Sequence, residues 1–171
     1  MIIVLDIDGT LANNDHRAHL VDRKEDDKTP KDWTAFLAPH LVAKDVVIEG
    51  VQRALEHFQL LSYKIMFLTG RNESLRDVTT LWIQEKLGIE VNDDSLVMRG
   101  TGNMMTAASY KRESAQNLKS QFPRETFVFI DDDKYSWAGY ADIGLVLRAP
   151  ECWETIFPQT TEAEPVDVWR K

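Results

Sequence analysis

Asp6 and Asp8 are separated by one residue and followed by Gly9 and Thr10. Thr69, Gly70 and Arg71 make a second polar cluster, and Asp131, Asp132 and Asp133 a third. Each cluster follows directly on a short apolar run: Ile2 to Leu5, Ile65 to Leu68, and Phe127 to Ile130. Clustered carboxylates repel one another unless a cation sits among them. An all-oxygen donor set beside a phosphate suits Mg²⁺. A carboxylate can attack phosphorus, and a second one two residues along can act as acid and then as base. Alternate residues of a regular strand face opposite sides. For Asp6 and Asp8 to reach one phosphate, the chain must leave the strand by Asp8, and Gly9 permits such a turn.

The elements that would position these residues are legible in the apolar pattern. Continuous β-branched and aromatic runs suit strands buried on both faces, as in parallel sheets. Weaker runs at Leu96 to Met98 and Ile143 to Leu147 bring the number to five. Between them, Val47, Val51, Ala54, Leu55 and Phe58 recur at helical spacing, as do Leu75, Val78, Leu81 and Trp82. Tyr110, Leu118 and Phe122 mark a third helix. This alternation predicts an α/β domain with a central parallel sheet flanked by helices. Ligands of such sheets bind beyond the carboxyl ends of the strands. Asp6, Asp8, Thr69, Arg71, Asp131 and Asp132 are therefore expected at one edge.

Residues 13–45 break the alternation and read as a small cap inserted after the first strand. Within them, the charge-dense piece from Asp22 to Lys28 reads as a solvated loop. Residues 1–157 form the expected domain, and 158–171 a polar tail. The chain has 171 residues, 43% of them hydrophobic and 28% charged, which suits one globular domain rather than a disordered chain. A net charge of −8 argues against extended duplex binding, which needs many cations facing phosphates. No apolar run is long enough for a membrane span and no export signal is visible, so no membrane association is expected. The single cysteine, Cys152, leaves no intrachain disulfide. A cytoplasmic protein is the expectation, and its oligomeric state is not legible. His16 and His19 suit surface or capping roles better than a metal pair. Asp133 suits a helix cap. Trp33, Phe36, Trp137 and Trp153 suit packing, and Cys152 a small buried apolar position.

The segment Asp6-Ile7-Asp8-Gly9-Thr10-Leu11-Ala12 resembles the first motif of the haloacid dehalogenase (HAD) superfamily of phosphatases. Phe67-Leu68-Thr69-Gly70-Arg71 resembles the second, Lys111 stands where the third-motif lysine is expected, and Phe129-Ile130-Asp131-Asp132 resembles the fourth. The resemblance implies a Rossmann-like HAD fold. It makes Asp6 the nucleophile, Asp8 the general acid and base, Thr69 the holder of the transferring phosphoryl group, and Lys111 its neutralising charge. It assigns Mg²⁺ to Asp6, the Asp8 main-chain carbonyl and Asp132, with Asp131 in support.

A finer resemblance is to the 3′-phosphatase domain of bacteriophage-type polynucleotide kinase-phosphatases. It rests on His16-Arg17, Asp32-Trp33-Thr34-Ala35-Phe36, Thr69-Gly70-Arg71-Asn72-Glu73-Ser74, Met98-Arg99 and Glu151-Cys152-Trp153, and covers about residues 2–156. It implies that Arg17, Gly70 and Arg71 contact phosphate or substrate. The chain departs from that pattern at Asn103, Met105 and Ala107, where the relatives carry acidic and arginine residues. No P-loop pattern occurs, so no kinase half is expected. The implied activity is a Mg²⁺-dependent phosphomonoesterase acting on a phosphorylated nucleic-acid 3′ end, with a free nucleotide as the alternative substrate. A non-catalytic phosphate-binding module is the reading from another class, and loss of Asp6 or Asp8 would be its mark.

Overall fold

The run Ile2–Leu5 forms strand β1, and all four of its side chains are buried. Ile3 and Leu5 pack into one apolar cluster, Ile2 and Val4 into another. A strand with no solvent face must be central in its sheet. β1 indeed lies in the middle of five parallel strands in a computed structural model that describes residues 1–22 and 29–156. Of the charge-dense piece from Asp22 to Lys28, residues 23–28 lie outside the described residues, as does the tail.

Numbering in chain order, the short strands β2 (Ala12–Asn13) and β3 (Val46–Val47) pair antiparallel with each other, away from the main sheet. Among the described residues between them run three one-turn helices: α1 (Asp15–Ala18), α2 (Trp33–Phe36) and α3 (Pro39–Val42). The main sheet continues with β4 (Lys64–Asn72), β5 (Leu96–Arg99), β6 (Phe127–Asp131) and β7 (Leu145–Arg148). Its order is β5-β4-β1-β6-β7. Helices α4 (Val51–Leu60), α5 (Arg76–Leu87), α6 (Ala107–Gln121), α7 (Lys134–Tyr140) and α8 (Glu151–Ile156) complete the described elements. Buried residues of α4, α5 and α8 join the first cluster, and those of α6 and α7 the second. No described helix is long and apolar enough to cross a membrane.

Three boundaries differ from the sequence expectation. Val47 has helical spacing to Val51, yet it lies in β3, and α4 begins only after Gly50, whose φ of +84° interrupts the backbone. β4 runs four residues past Leu68, with an irregular register against β5 between Leu68 and Asn72. Such irregularities re-aim side chains, and this one carries Thr69, Gly70 and Arg71. β7 starts at Leu145 rather than Ile143, because the Ile143 and Gly144 amides still donate to the Tyr140 carbonyl and close α7.

Candidate active site

The register aligns the strand ends. Leu5 pairs with Phe67 on one side and Ile130 on the other, so Asp6, Thr69 and Asp131 emerge at one edge. The Asp6 amide still donates to the Ile130 carbonyl at 3.0 Å, and the chain then turns through Gly9 at φ +81°. A Cβ on Gly9 would lie 2.3 Å from Asp132 Oδ2, so only glycine lets the turn and Asp132 come together.

Two charge clusters occupy this edge. In the first, Lys111 Nζ lies 3.0 Å from Asp6 Oδ1 and donates to Asp131 Oδ2 at 2.8 Å. That Asp131 oxygen also accepts from the Tyr140 hydroxyl at 2.8 Å, and the other accepts from the Asp133 amide at 2.9 Å. Both Asp131 oxygens are thus engaged. Asp132 stays open to solvent, steadied by Thr10, whose hydroxyl accepts from the Asp132 amide at 3.0 Å.

The second cluster surrounds Asp8. Arg71 grips it through Nε to Oδ2 and Nη2 to Oδ1, both at 2.8 Å. Arg17 donates to the same Oδ1. Behind them, Asp45 accepts from Arg17 Nε at 2.8 Å and from Arg71 Nη2 at 2.9 Å. Arg17 and Asp45 have no solvent exposure. Trp82 fixes Asp45 from behind, its indole donating to the Asp45 carbonyl at 2.8 Å.

The two clusters titrate in opposite directions. Burial raises Asp6 well above the usual carboxylate range; Lys111 offsets part of this, while Asp131, Asp132 and Asp8 add to it. Although its residue keeps a solvent-facing side, the protein packed around the Asp132 carboxylate and then Asp131 push it up to about 6. Burial would raise Asp8 too, but Arg71 and then Arg17 outweigh it and hold Asp8 far below the ordinary range. Burial opposes charge on Lys111, yet Asp6 and Asp131 hold its ammonium above its usual value. Asp6, Asp131 and Asp132 each offer a carboxylate oxygen, all within 4.8 Å of one another. Three such hard donors with a single ammonium among them fit a divalent cation.

A cavity of about 770 Å³ opens over both clusters. Asp6, Asp8, Lys111 and Asp132 line its polar part, and Trp33, Phe36 and Leu37 an apolar wall. Gly70, Arg71, Arg99 and Met105 also border it. Thr69 is buried beneath, its Oγ1 accepting from the Arg71 amide at 3.2 Å.

The nine site residues expected from sequence thus gather at one edge, but Arg17 and Arg71 point to carboxylates rather than into open space. Asp45 was not foreseen. Its signal was indirect: two arginines at a buried site require carboxylate partners, and Asp45 is spaced 28 residues from the first. Tyr140 carried no signal. Of the aromatics, Phe36 and Trp153 are buried, whereas Trp33 is 53% exposed at the cavity. Asp133 caps α7 through the Tyr135 amide, and Cys152 is buried. His16 Nε2 lies 3.2 Å from the Leu41 carbonyl, outside the acidic group.

Comparison with known proteins agrees on the architecture. One solved structure, titled "Structure of Pnkp1/Rnl/Hen1 complex", aligns with a TM-score of 0.60 at 17% identity, over 86% of this chain and 44% of that one. A haloacid dehalogenase-like hydrolase from Streptococcus pneumoniae aligns with a TM-score of 0.59 at 16% identity, over 86% and 83%. A class C acid phosphatase from Bacillus anthracis aligns at 0.59 and 17% identity, over 90% and 69%. The chain spans less than half the length of the repair-complex chains it matches. No curated protein matches it. The profile of the HAD superfamily, subfamily IIIB (Acid phosphatase), covers residues 1–124, a span that takes in Asp6, Asp8, Thr69, Arg71 and Lys111. On that match, the chain belongs to the HAD superfamily of phosphatases, in subfamily IIIB.

Proposed function

We propose that the protein is a Mg²⁺-dependent phosphomonoesterase that works through an aspartyl-phosphate on Asp6 and removes a 3′-phosphate from a polynucleotide end. The observation that carries this is the charge imbalance at the sheet edge. Three carboxylates cluster there around one ammonium, which pairs with Asp6 and Asp131, while the neighbouring Asp8 and Asp45 are matched by two guanidinium groups.

An Asp6 oxygen attacks phosphorus as the bond to the leaving oxygen breaks, and Asp8 supplies the proton that oxygen takes up. Water then attacks phosphorus, Asp8 takes its proton, and phosphate and the free Asp6 carboxylate are released. Asp8 clamped by Arg71 and Arg17 is already the base that the second step needs. Its proton for the first step requires that the incoming dianion draw Arg71 away. Lys111 and the Thr69 hydroxyl steady the phosphoryl oxygens. Asp6, Asp132 and the Asp8 carbonyl would hold Mg²⁺, with Asp131 in support; the ion supplies further charge neutralisation. In this reading the insertion at 13–45 acts as a small cap, whose described residues Trp33, Phe36 and Leu37 border the cavity. A cytoplasmic setting accompanies this reading.

A free nucleotide is the second reading, favoured by the net charge of −8 and by the apolar wall at Trp33 and Phe36. The test is kcat/KM for a 3′-phosphorylated oligonucleotide, nucleoside 3′- and 5′-monophosphates and an aryl phosphate, each with Mg²⁺ and with chelator. Preference for the oligonucleotide, lost on chelation, is expected. Preference for the 5′-monophosphate rejects the polynucleotide reading, and full turnover in metal-free protein rejects the mechanism.

A further inference from the structure

Among the described residues, three cationic side chains border the cavity, and two of them are already matched. Arg71 is divided between Asp8 and Asp45, and Lys111 between Asp6 and Asp131. Arg99, the last residue of β5, differs. It has no carboxylate partner among the described residues, and its Nε is buried without a hydrogen-bond acceptor. A guanidinium has five donors, and leaving a buried one unmet is costly.

The group is also held in place. Its guanidinium lies over the Tyr110 ring, 5.5 Å from the centroid. Its Nη2 is 3.7 Å from where a Cβ on Gly70 would stand, and the Ala107 Cβ is 3.9 Å from that same point. Ala107 precedes Lys111 by one turn on the same face of α6. Arg99 therefore stands beside the Lys111 position, not on it. The rest of the cavity wall gives a second anion little else to meet. Among the described residues, Asp6, Asp8, Asp132 and Asp133 repel it, Asn14 and Thr106 are neutral, and Trp33 and Phe36 offer it nothing polar but the indole N–H.

We propose that Arg99 is a second anion subsite, for a negative group on the leaving group next to the phosphate that is removed. This rests on the phosphatase reading and deepens it. The ligand class is a nucleoside 3′-phosphate that also bears a phosphate at its 5′ side, with the nucleoside against the apolar wall. The same chemistry occurs in a free nucleoside 3′,5′-bisphosphate and in the terminal nucleotide of a chain.

The test compares adenosine 3′,5′-bisphosphate with adenosine 3′-monophosphate, by kcat/KM on the active protein and by calorimetric binding to an Asp6→Asn protein. The bisphosphate is favoured about ten- to hundredfold, the range for a charge-assisted contact. In Arg99→Gln this ratio falls to near one, and in Arg99→Lys, which keeps the charge without the fork, it is intermediate. A ratio near one in the parent, or one unchanged in both variants, overturns the subsite. Absence of turnover with an Arg99-dependent binding ratio overturns the phosphatase reading and leaves the subsite standing. A 3′-phosphorylated dinucleotide with the same Arg99 dependence assigns the subsite to chain ends; dependence confined to the bisphosphate assigns it to free nucleotides.

Discussion

Asp6 and Asp8 leave the same strand two residues apart and meet opposite electrostatics. Asp6 shares one ammonium with Asp131 and lies near Asp132 as well, so burial and repulsion work together against its charge. Asp8 meets two guanidinium groups, one of them bidentate, and its charge is locked in. Both are carboxylates at one strand end, so residue type and position do not set their behaviour. The number of cations supplied by other elements does. One cluster is complete within the protein, and the other is left with an excess negative charge that an added cation can match.

The largest expected effect separates chemistry from stability. Asp6→Asn removes the proposed nucleophile and one repelling charge together. Turnover should fall on the order of 10³-fold or more, while the melting temperature of metal-free protein should not decrease. A clear loss of stability would show that Asp6 is not under repulsion. Asp45→Asn attacks the balanced cluster, leaving Arg17 and Arg71 with Asp8 alone. Breaking a buried pair costs about 3–5 kcal/mol, and urea unfolding of this variant measures it. A cost below about 1 kcal/mol would mean the two arginines find other partners.

Magnesium should act on one cluster only. At a hundredfold excess over its dissociation constant a ligand stabilises by about 2.7 kcal/mol, roughly 5–10 °C in melting temperature for a chain of this size. Asp132→Asn should shrink the shift and Asp45→Asn should leave it in place. Equal shifts in both would place the ion elsewhere.

The smallest effect is in pH. Asp132 binds its proton more tightly in the folded chain than in the unfolded one. Its contribution is therefore fully present below about pH 4 and is lost as pH rises through about 6. Metal-free protein should lose melting temperature over that window, less so in Asp132→Asn or with Mg²⁺. Asp8 has the opposite sign, and its stabilisation is lost as pH falls below about 4. A metal-free melting temperature that rises from pH 4 to 6 would contradict the repulsion assigned to Asp6 and Asp132.

Much of this arrangement was legible in the sequence. The apolar runs ending in Asp6, Thr69 and Asp131 announced parallel strands, and the strands then fixed the edge where the polar residues meet. Local pattern failed where the controlling contact was not local. Val47 fits a helical repeat until Gly50 intervenes. Gly70 and Arg71 follow the apolar run that ends at Leu68, yet β4 carries them past an irregular register. Asp45 is an ordinary acidic residue in sequence, and only the folded chain brings it against Arg17 and Arg71. Arg99 gives no sign of its missing partner, because a buried unmet Nε is a property of its surroundings.

The ribbon of β2 and β3 has a consequence for how such a protein can change. Ala12 stands opposite Val47, so the chain returns within one strand spacing, about 4.8 Å, of where it departed. Closing a loop on fixed ends costs little more as the loop lengthens. Arg17 lies five residues inside one end and Asp45 two residues inside the other, and both must stay. The stretch between them carries Trp33, Phe36 and Leu37 of the apolar wall. Descent or design can therefore exchange that stretch as a cassette, trading one preference for another while the reacting groups stay fixed in the sheet.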